Sequence, residues 1–354
     1  MGFRDEFPVL QQLAYLNAGT DGPIPRAAAE AARAELDAQL TDGRLMPHFE
    51  RRHDLGDALR TGYARVLGCA PEDVAVTSGT TAGLGVILAG LAISAKDEII
   101  TSDAEHPGLI GPLIAARHRG ATVKEVPIAE LANAVTKKTT LVAASHVSWI
   151  TGEVAPAELA DVPVPVILDG AQGAGAIAVD VHELGCVAYA GPGQKWLCGA
   201  DGTGMLYLDP DFGERVRTIA PTYFSFEDTS HGLDSSLKGT ANRFDLPLPR
   251  EAVALSKVAL DVLEAEGLET IYARGVELAH TFATRLADAG FTVAPRGATT
   301  LVTFEVDDPE ARREQLNARG VAVRNLPGTP YLRASVGAWN DESDLDRLLK
   351  ALKA

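Results

Sequence analysis

Short apolar runs alternate with helical patterns between residues 74 and 208 of the chain. The runs are rich in valine, isoleucine and alanine and span residues 74–77, 98–101, 122–126, 140–144, 165–168 and 187–190. Buried strands that alternate with helices are typical of a largely parallel sheet with helices on both faces. The pattern therefore predicts an α/β domain, in which ligands lie beyond the carboxyl ends of the strands.

The pattern changes after about residue 245. A long helical pattern covers residues 250–289, and short segments follow at 291–294 (strand), 300–305 (strand), 309–318 (helix) and 321–324 (strand). This predicts a separate α+β layer. The last segment begins with Asn340 as a helix cap and has four leucines on one face: Leu345, Leu348, Leu349 and Leu352.

Composition narrows the functional classes. The chain has 32 Lys+Arg against 48 Asp+Glu, a net charge of −16. This charge repels phosphate backbones and anionic lipids, so we expect no nucleic-acid partner and no membrane role. No apolar stretch reaches the roughly 20 residues that a membrane-spanning helix needs.

The first six residues include acids and precede no apolar core, so they do not resemble a secretion signal and we expect a cytoplasmic protein. Three cysteines are too few and too irregularly spaced for a disulfide framework or a zinc site. His48 and His53 are five positions apart, whereas a metalloprotease helix needs histidines four apart. No metal site is predicted.

Two charged residues follow neighbouring apolar runs. Asp169 directly follows the run 165–168, and Lys195 lies in a glycine-rich loop after the run that ends at Ala190. A lysine that is desolvated beside Trp196 has a lowered pKa and can form a Schiff base. An aspartate that faces it suits a pyridine nitrogen, which must stay protonated if the ring is to act as an electron sink. The pair indicates a pyridoxal 5′-phosphate (PLP) site.

Two further segments fit the same cofactor. Ser78, Gly79, Thr80 and Thr81 follow the run 74–77 and open a helical pattern. Backbone N–H groups at a helix N-terminus, together with hydroxyl groups, bind an anion, so this segment predicts a phosphate site. His106 follows the run 98–101, and its ring could lie flat over an aromatic cofactor.

A competing signal lies at residues 173–178, where Gly-Ala-Gly-Ala-Ile-Ala matches a degenerate dinucleotide-binding pattern. The helix that this pattern should open is broken within a few residues, and no acidic residue follows at the required distance. We therefore disfavour a dinucleotide. The chain also has no nucleophile-elbow serine motif and no phosphate-binding P-loop.

Taken together, these motifs resemble the class-V aminotransferase family of fold-type I PLP enzymes, which includes cysteine desulfurases, isopenicillin N epimerase-like proteins and cyst(e)ine C–S lyases. The resemblance covers nearly the whole chain, through residues 15–23, 77–83, 105–108, 169–172, 195–199 and 332–340. It implies an aspartate aminotransferase-like fold with a large, mostly parallel seven-stranded sheet. It also implies three parts: an N-terminal segment (1–25), a large PLP-binding domain (26–245) and a small α+β domain (246–354).

The resemblance also implies roles for individual residues. Lys195 would hold PLP as a Schiff base, Asp169 the pyridine nitrogen, Gln172 the ring hydroxyl, residues 78–81 the phosphate, and His106 would stack on the ring. Arg333 would bind the α-carboxylate of a small amino-acid substrate through its planar guanidinium. Asn17, His146 and Trp149 are further candidates on the substrate side. Thr240 resembles the residue that reaches the partner subunit's phosphate, which implies a homodimer with shared active sites.

Two departures from the family pattern matter. Gln194 stands where relatives commonly have histidine; it can donate a hydrogen bond to phosphate but carries no charge. Desulfurases need a mobile cysteine late in the chain to accept sulfur, and no cysteine follows Cys198. Segments 105–108 and 145–152 resemble the C–S lyases most.

We therefore expect α,β-elimination from a cysteine- or cystine-like amino acid. Lys195 would remove the α-proton, the ring would store the charge, and the β-sulfur would leave. An aminotransferase or an epimerase is the alternative, since it begins with the same proton abstraction. A PLP-fold protein without catalysis is a rival from another class, and the intact lysine and arginine argue against it.

Overall fold

The computed structural model describes residues 2–353, so residues 1 and 354, the outer limits of the predicted domains, lie outside the described residues. In chain order the strands are β1 (Ala14–Tyr15), β2 (Val74–Thr77), β3 (Glu98–Ser102), β4 (Thr122–Val126), β5 (Thr139–Ser145), β6 (Val166–Asp169), β7 (Ala188–Pro192), β8 (Gly204–Leu208), β9 (Leu301–Glu305), β10 (Val321–Ala322), β11 (Arg324–Asn325) and β12 (Tyr331–Ser335). The helices are α1 (Arg26–Asp42), α2 (Met46–Leu67), α3 (Thr80–Gly90), α4 (Pro107–His118), α5 (Pro210–Gly213), α6 (Arg250–Glu266), α7 (Leu268–Asp288), α8 (Pro309–Ala318) and α9 (Glu342–Leu352).

A seven-stranded sheet organises the larger part of the molecule. Its strand order is β2-β8-β7-β6-β5-β3-β4. The strands from β7 through β4 pair in parallel, and β8 runs antiparallel to both β2 and β7. The predicted large, mostly parallel sheet is confirmed. All six predicted runs form strands of this sheet. Of its seven strands, the sequence pattern missed only β8.

Two apolar layers cover this sheet. On one face α3 and α4 pack through Leu84 and Leu109 against Ile167 and Ala190. On the other face α2 and α6 pack through Leu59 and Leu260 in a cluster that also contains the strand residues Leu168 and Tyr189. Because both faces are buried, the strands read as continuous apolar runs in the sequence. The carboxyl ends of the parallel strands remain open at one edge.

A smaller layer contains the antiparallel sheet β11-β12-β9 together with α7, α8 and α9. The N-terminal segment joins it, because β1 pairs in parallel with β10 and Asn17 forms a bridge with Ser335. The segment passes close to the large sheet immediately afterwards, since the Gly22 N–H donates to the Gln194 carbonyl at 2.7 Å. It therefore connects the two layers.

Several predicted details of the second layer were wrong. The helix predicted over 250–289 breaks at Gly267, whose φ of +95° ends α6 and begins α7. Residues 291–294 form no regular strand and make only an isolated bridge to β9, between Val293 and Phe304. Residues 321–324 do not form one strand: Val321 and Ala322 form β10, which pairs with β1, and Arg324 begins β11 of the three-stranded sheet.

The predicted cap of the last helix was also wrong. Asp341 caps α9, and its carboxylate accepts hydrogen bonds from the Ser343 and Asp344 N–H groups. Asn340 is fully buried instead and donates to the Tyr15 carbonyl at 3.1 Å. No helix within residues 2–353 is both long and apolar enough to cross a membrane.

A buried ion pair fastens the edge of the large sheet to the segment that leads into α6. Arg60 on α2 forms two 2.9 Å hydrogen bonds with the Asp245 carboxylate, and both side chains are buried. Asp245 also accepts from the Val76 N–H at 2.9 Å, and Arg60 donates to the Val74 carbonyl. Removal of one partner would leave an uncompensated charge in the interior.

We expect Asp245→Ala to lower the free energy of unfolding by about 3–5 kcal/mol, because it removes the buried counter-charge of Arg60 and the acceptor of the Val76 N–H. Asp57→Ala is the matched control: Asp57 contacts the same guanidinium at 3.3 Å but has a side chain 74% exposed. Its loss should cost less than about 1 kcal/mol. Urea denaturation of the apoprotein measures both changes, and equal values for the two variants would contradict the assignment.

Candidate active site

Lys195 lies in the tight loop between β7 and β8, at the open edge of the sheet. The Gly193 N–H donates to the Thr203 carbonyl at 2.8 Å, and the Gly199 N–H donates to the Gly193 carbonyl at 2.9 Å. Gly22 packs on the loop so closely that a Cβ there would lie 2.0 Å from the Lys195 carbonyl oxygen. Burial lowers the pKa of Lys195 to about 8, although the charge of Asp169 acts to raise it. At a pKa near 8 roughly one tenth of this amine is uncharged at pH 7, against less than about one part in a thousand at the ordinary lysine pKa.

A cavity of about 260 Å³ opens beside Lys195. Its walls include most of the predicted cofactor residues: Ser78, Gly79, Thr80, Thr81, His106, Asp169, Gln194 and Lys195. They come from the ends of β2, β3, β6 and β7 and from the first turns of α3 and α4. The structure thus brings together residues that are far apart in the chain.

The start of α3 forms one end of this cavity. Gly79 caps the helix with a φ of +139°, which favours glycine, and no side chain in the described part of the chain caps its first-turn N–H groups. The Thr80 hydroxyl is buried and has no hydrogen-bond partner within residues 2–353. Gly204 of β8 lies so near that a Cβ there would be 2.5 Å from the Gly79 Cα. Free donors at a helix N-terminus fit a phosphate group.

Asp169, the last residue of β6, is 3% exposed and accepts a hydrogen bond from the Ala171 N–H at 2.9 Å. Burial raises the pKa of this carboxyl to about 6, while the Ala171 hydrogen bond and the charge of Lys195 lower it. A cationic ring nitrogen close to Asp169 would favour the ionised carboxylate further. The residue therefore fits the pyridine nitrogen of PLP.

His106 caps α4, and its Nδ1 accepts from the Gly108 N–H at 3.0 Å. Its ring meets the Trp149 ring edge to face, with centroids 5.0 Å apart and planes at 87°. Burial, together with the charges of Lys195 and Arg333, lowers the pKa of His106 to about 4. The imidazole is therefore neutral at neutral pH, which suits stacking on an aromatic ring.

Arg333 on β12 is 2% exposed and donates to the Trp149 carbonyl at 2.6 Å and to the Thr20 hydroxyl at 3.4 Å. Thr20 in turn donates to the Asn17 side chain at 2.9 Å. Burial lowers the pKa of Arg333 to about 9, with a further contribution from Arg324. No carboxylate in residues 2–353 forms an ion pair with Arg333. This buried cation is available for an anionic ligand.

Sequence reasoning missed a second arginine next to Arg333, although neither arginine lines the cavity beside Lys195. Arg324 on β11 lies directly opposite Arg333 in the antiparallel register. Opposite residues of such a pair point to the same face, and like charges there repel. The charge of Arg324 lowers the pKa values of Arg333, His106 and Asp21. Only the strand register could have revealed it, because Arg324 falls at the end of a short predicted strand.

Comparisons with known proteins agree with this geometry. The family model for class-V aminotransferases matches residues 15–348. A probable cysteine desulfurase of Halalkalibacterium halodurans is 31% identical over 98% of this chain and 95% of its own. An isopenicillin N epimerase of Streptomyces clavuligerus is 29% identical over 96% of this chain and 94% of its own.

This chain belongs to the class-V aminotransferase family. The family predicted from the sequence is thereby confirmed.

Solved structures of C-DES resemble this chain in fold and sequence. A complex of the cystine C–S lyase C-DES with its reaction product cysteine persulfide superposes with a TM-score of 0.91 at 29% identity, over 98% of both chains. A C-DES mutant with glycine covalently linked to its PLP cofactor superposes with a TM-score of 0.93 at 27% identity, over 99% of both chains.

Other predicted site residues have partners within the protein. Gln172 donates to the Gly19 carbonyl at 2.8 Å and accepts from the Trp196 indole at 3.0 Å. Trp149 donates from its indole to the Ala104 carbonyl at 3.1 Å. Neither lines the cavity beside Lys195. A contact of Gln172 with the ring hydroxyl, and of Trp149 with substrate, therefore stays a prediction.

His146 requires a correction. Its ring is 3% exposed, and its Nδ1 lies 3.0 Å from the Tyr189 hydroxyl in the apolar layer on the face opposite α3 and α4. Burial lowers the pKa of His146 to about 4, so the ring is neutral. The pair packs beneath the turn after Asp169, where a Cβ on Gly173 would lie 2.6 Å from the imidazole. This position argues against the predicted substrate contact.

The lowered pKa of Lys195 gives a test of the site. In apoprotein we expect the rate of Schiff-base formation between Lys195 and added pyridoxal to rise with pH through an apparent pKa near 8, because burial favours the neutral amine. Stopped-flow absorbance measures the rate, and Lys195→Ala, which should show no such phase, is the control. A profile that rises only near the ordinary lysine pKa, about 10.4, would contradict a desolvated amine.

Proposed function

We propose that this protein is a lyase that breaks the C–S bond of a cysteine- or cystine-like amino acid by α,β-elimination. The broader activity follows from the family: the protein is a PLP-dependent enzyme with cysteine desulfurase and C–S lyase relatives. The finer proposal rests mainly on the chemistry of its thiols. It is supported by the likeness to the cystine C–S lyase C-DES.

PLP fits the cavity residues. The free donors at the start of α3 suit its phosphate, Asp169 suits its ring nitrogen, and Lys195 supplies the amine that holds it. PLP, when bound, supplies an electron sink for charge that develops at the substrate α-carbon. The protein's part is to position the substrate, move protons and exclude water.

The three thiols argue against a desulfurase. A desulfurase needs an accessible thiolate to take sulfur from the substrate, and a thiol must ionise to attack. Burial raises the pKa of Cys69 and Cys186 to about 12, and raises that of Cys198 well above its usual range. Cys198 and Cys186 are also buried, and no cysteine follows Cys198. An elimination needs no protein thiol, because the sulfur leaves with its bonding electrons.

The paired arginines suit a substrate with two anionic groups. Arg333 would bind the α-carboxylate next to the reacting carbon. Arg324, opposite Arg333 across the strands, would then bind a distal carboxylate such as that of the leaving half of cystine. Two like charges on one face cost stability in the empty site, and a dianionic ligand would offset that cost.

Lys195 is the base that we propose for the α-proton. Its lowered pKa makes the neutral amine, the form that a general base requires, far more abundant near neutral pH than in an ordinary lysine. In cystine, loss of this proton and departure of the β-sulfur would produce cysteine persulfide and a three-carbon enamine, which hydrolyses to pyruvate and ammonia. The electrons of the C–S bond leave with sulfur, so the reaction needs no oxidant or reductant.

We also propose that the protein acts as a homodimer. Thr240 is exposed and does not line the cavity of its own subunit. Among residues 2–353, those that line this cavity include hydroxyl and N–H donors but no arginine, and Lys195 is their only lysine. A residue from a second copy, such as Thr240, would complete the phosphate end. An aminotransferase or epimerase remains the second candidate, supported by the relative named isopenicillin N epimerase.

Cystine is the substrate that tests the reaction class. We expect the PLP-loaded protein to release pyruvate, ammonia and persulfide sulfur from cystine in equal amounts, and Lys195→Ala to release none. Pyruvate is measured with lactate dehydrogenase and sulfur by cyanolysis. Alanine formed from cysteine without pyruvate would indicate a desulfurase, and exchange of the α-proton with solvent deuterium without pyruvate would indicate the epimerase.

Substitutions of Arg324 and Arg333 should have different effects on the steady-state kinetics of two substrates. We expect Arg324→Gln to raise KM for cystine roughly ten- to a hundredfold, the effect of one lost charge-assisted hydrogen-bonding partner, and to leave an S-alkyl cysteine nearly unaffected. Arg333→Gln should impair both substrates. Steady-state assays with the two substrates make the comparison, and equal losses for both in Arg324→Gln would contradict a distal-carboxylate role.

A further inference from the structure

A buried carboxylate lies just behind the cavity and has no part in the chemistry described so far. Glu105 is 6% exposed and immediately precedes His106. Its Oε1 accepts from the Ser102 hydroxyl at 2.6 Å and from the Ser145 N–H at 2.8 Å, and its Oε2 accepts from the Ser145 hydroxyl at 2.5 Å. No lysine, arginine or histidine in the described part of the chain forms an ion pair with it. Neutral donors alone balance its charge.

These hydrogen bonds join the ends of two strands at the cavity edge. Ser102 is the last residue of β3, and Ser145 is the last residue of β5. Ser145 also lies in parallel register with Asp169, the last residue of β6. Residues in register on neighbouring strands point to the same face of a sheet. Glu105, Ser145 and Asp169 therefore form a row along the edge.

The same carboxylate anchors the segment that carries His106. This segment connects β3 to α4 through residues 103–106. Glu105 holds it to the strand ends, while the Trp149 indole holds the adjacent Ala104 carbonyl at 3.1 Å and packs against the His106 ring. The position of His106 thus depends on two neighbouring attachments, one of which is made by a carboxylate that accepts from neutral donors.

The charge of Glu105 also reaches Asp169. It acts to raise the pKa of the Asp169 carboxyl, in addition to the larger effect of burial. A second negative charge behind Asp169 opposes ionisation of that carboxyl but attracts a cation bound on the cavity side of it. Since a protonated pyridine nitrogen is such a cation, the charge of Glu105 favours the cofactor in its protonated form.

We propose that Glu105 is a positioning residue of the cofactor site, which holds His106 and Ser145 at fixed places beside Asp169 through its three hydrogen bonds. The inference rests on the PLP site and not on elimination. It concerns the geometry of the ring-binding groups, so cofactor binding can test it without any turnover.

The test compares Glu105→Gln with Glu98→Gln. Glu98 begins β3, at the end opposite the site, and its carboxylate accepts from Thr139 of β5 at 3.0 Å. It links the same two strands far from the cavity, which makes it a matched control. We expect E105Q to weaken PLP binding to apoprotein roughly tenfold, the effect of one lost buried hydrogen bond to a charged group, and to change the circular dichroism of bound PLP. E98Q should leave both unchanged.

Wild-type-like PLP affinity and dichroism in E105Q would overturn the proposal. If E105Q does not fold, Ser102→Ala, which removes one of the three hydrogen bonds and keeps the carboxylate, should weaken PLP binding about threefold. Unchanged binding in S102A would then overturn it. Failure of wild-type protein to bind PLP would instead reject the cofactor site itself, so the two failures are distinguishable.

Discussion

Everything at the candidate site depends on the parallel alignment of β3, β5, β6 and β7, because this alignment brings their carboxyl ends to one edge. Parallel strands must be connected by crossovers, so residues that meet at this edge are separated by long stretches of the chain. Asp169 and Lys195 follow two neighbouring strands, while His106 and the α3 N-terminus come from β3 and β2. Motifs that are far apart in the chain therefore line one cavity at this edge.

The site is assembled from groups that are costly to bury. Lys195, Asp169 and Arg333 all have pKa values displaced by desolvation, each in the direction that disfavours its charge. Opposite charges help only in part: Asp169 and Lys195 stabilise each other, whereas Arg324 and Arg333 repel. Groups with displaced pKa values that are buried close together are typical of functional sites, and here they are an amine, a carboxyl and a guanidinium. The rest of the fold supplies the rigidity that keeps these groups in place.

Residues that look alike in the sequence have different surroundings in the structure. His106 and His146 each follow a strand, yet His106 faces the cavity and His146 pairs with Tyr189 on the other side of the sheet. Trp149 serves both layers, since its carbonyl accepts from Arg333 and its indole holds the segment before His106. Whether a side chain faces the cavity depends on its position in the alternation along the strand and on the direction of the loop that follows. A shift of one residue along a strand moves a side chain to the opposite face of the sheet.

The sequence alone determined the elements that are governed by local patterns. Apolar runs indicated the strands of the large sheet, glycine and hydroxyl residues marked the start of α3, and the motifs along the chain, including those around Asp169, Lys195 and Arg333, indicated the family. Only the tertiary structure decided which strands are neighbours and in which register they pair. That register placed Arg324 opposite Arg333 and Ser145 beside Asp169, and it directed His146 away from the cavity. The physical reason is that side-chain direction and long-range pairing arise from packing across the sheet, which local propensities do not encode.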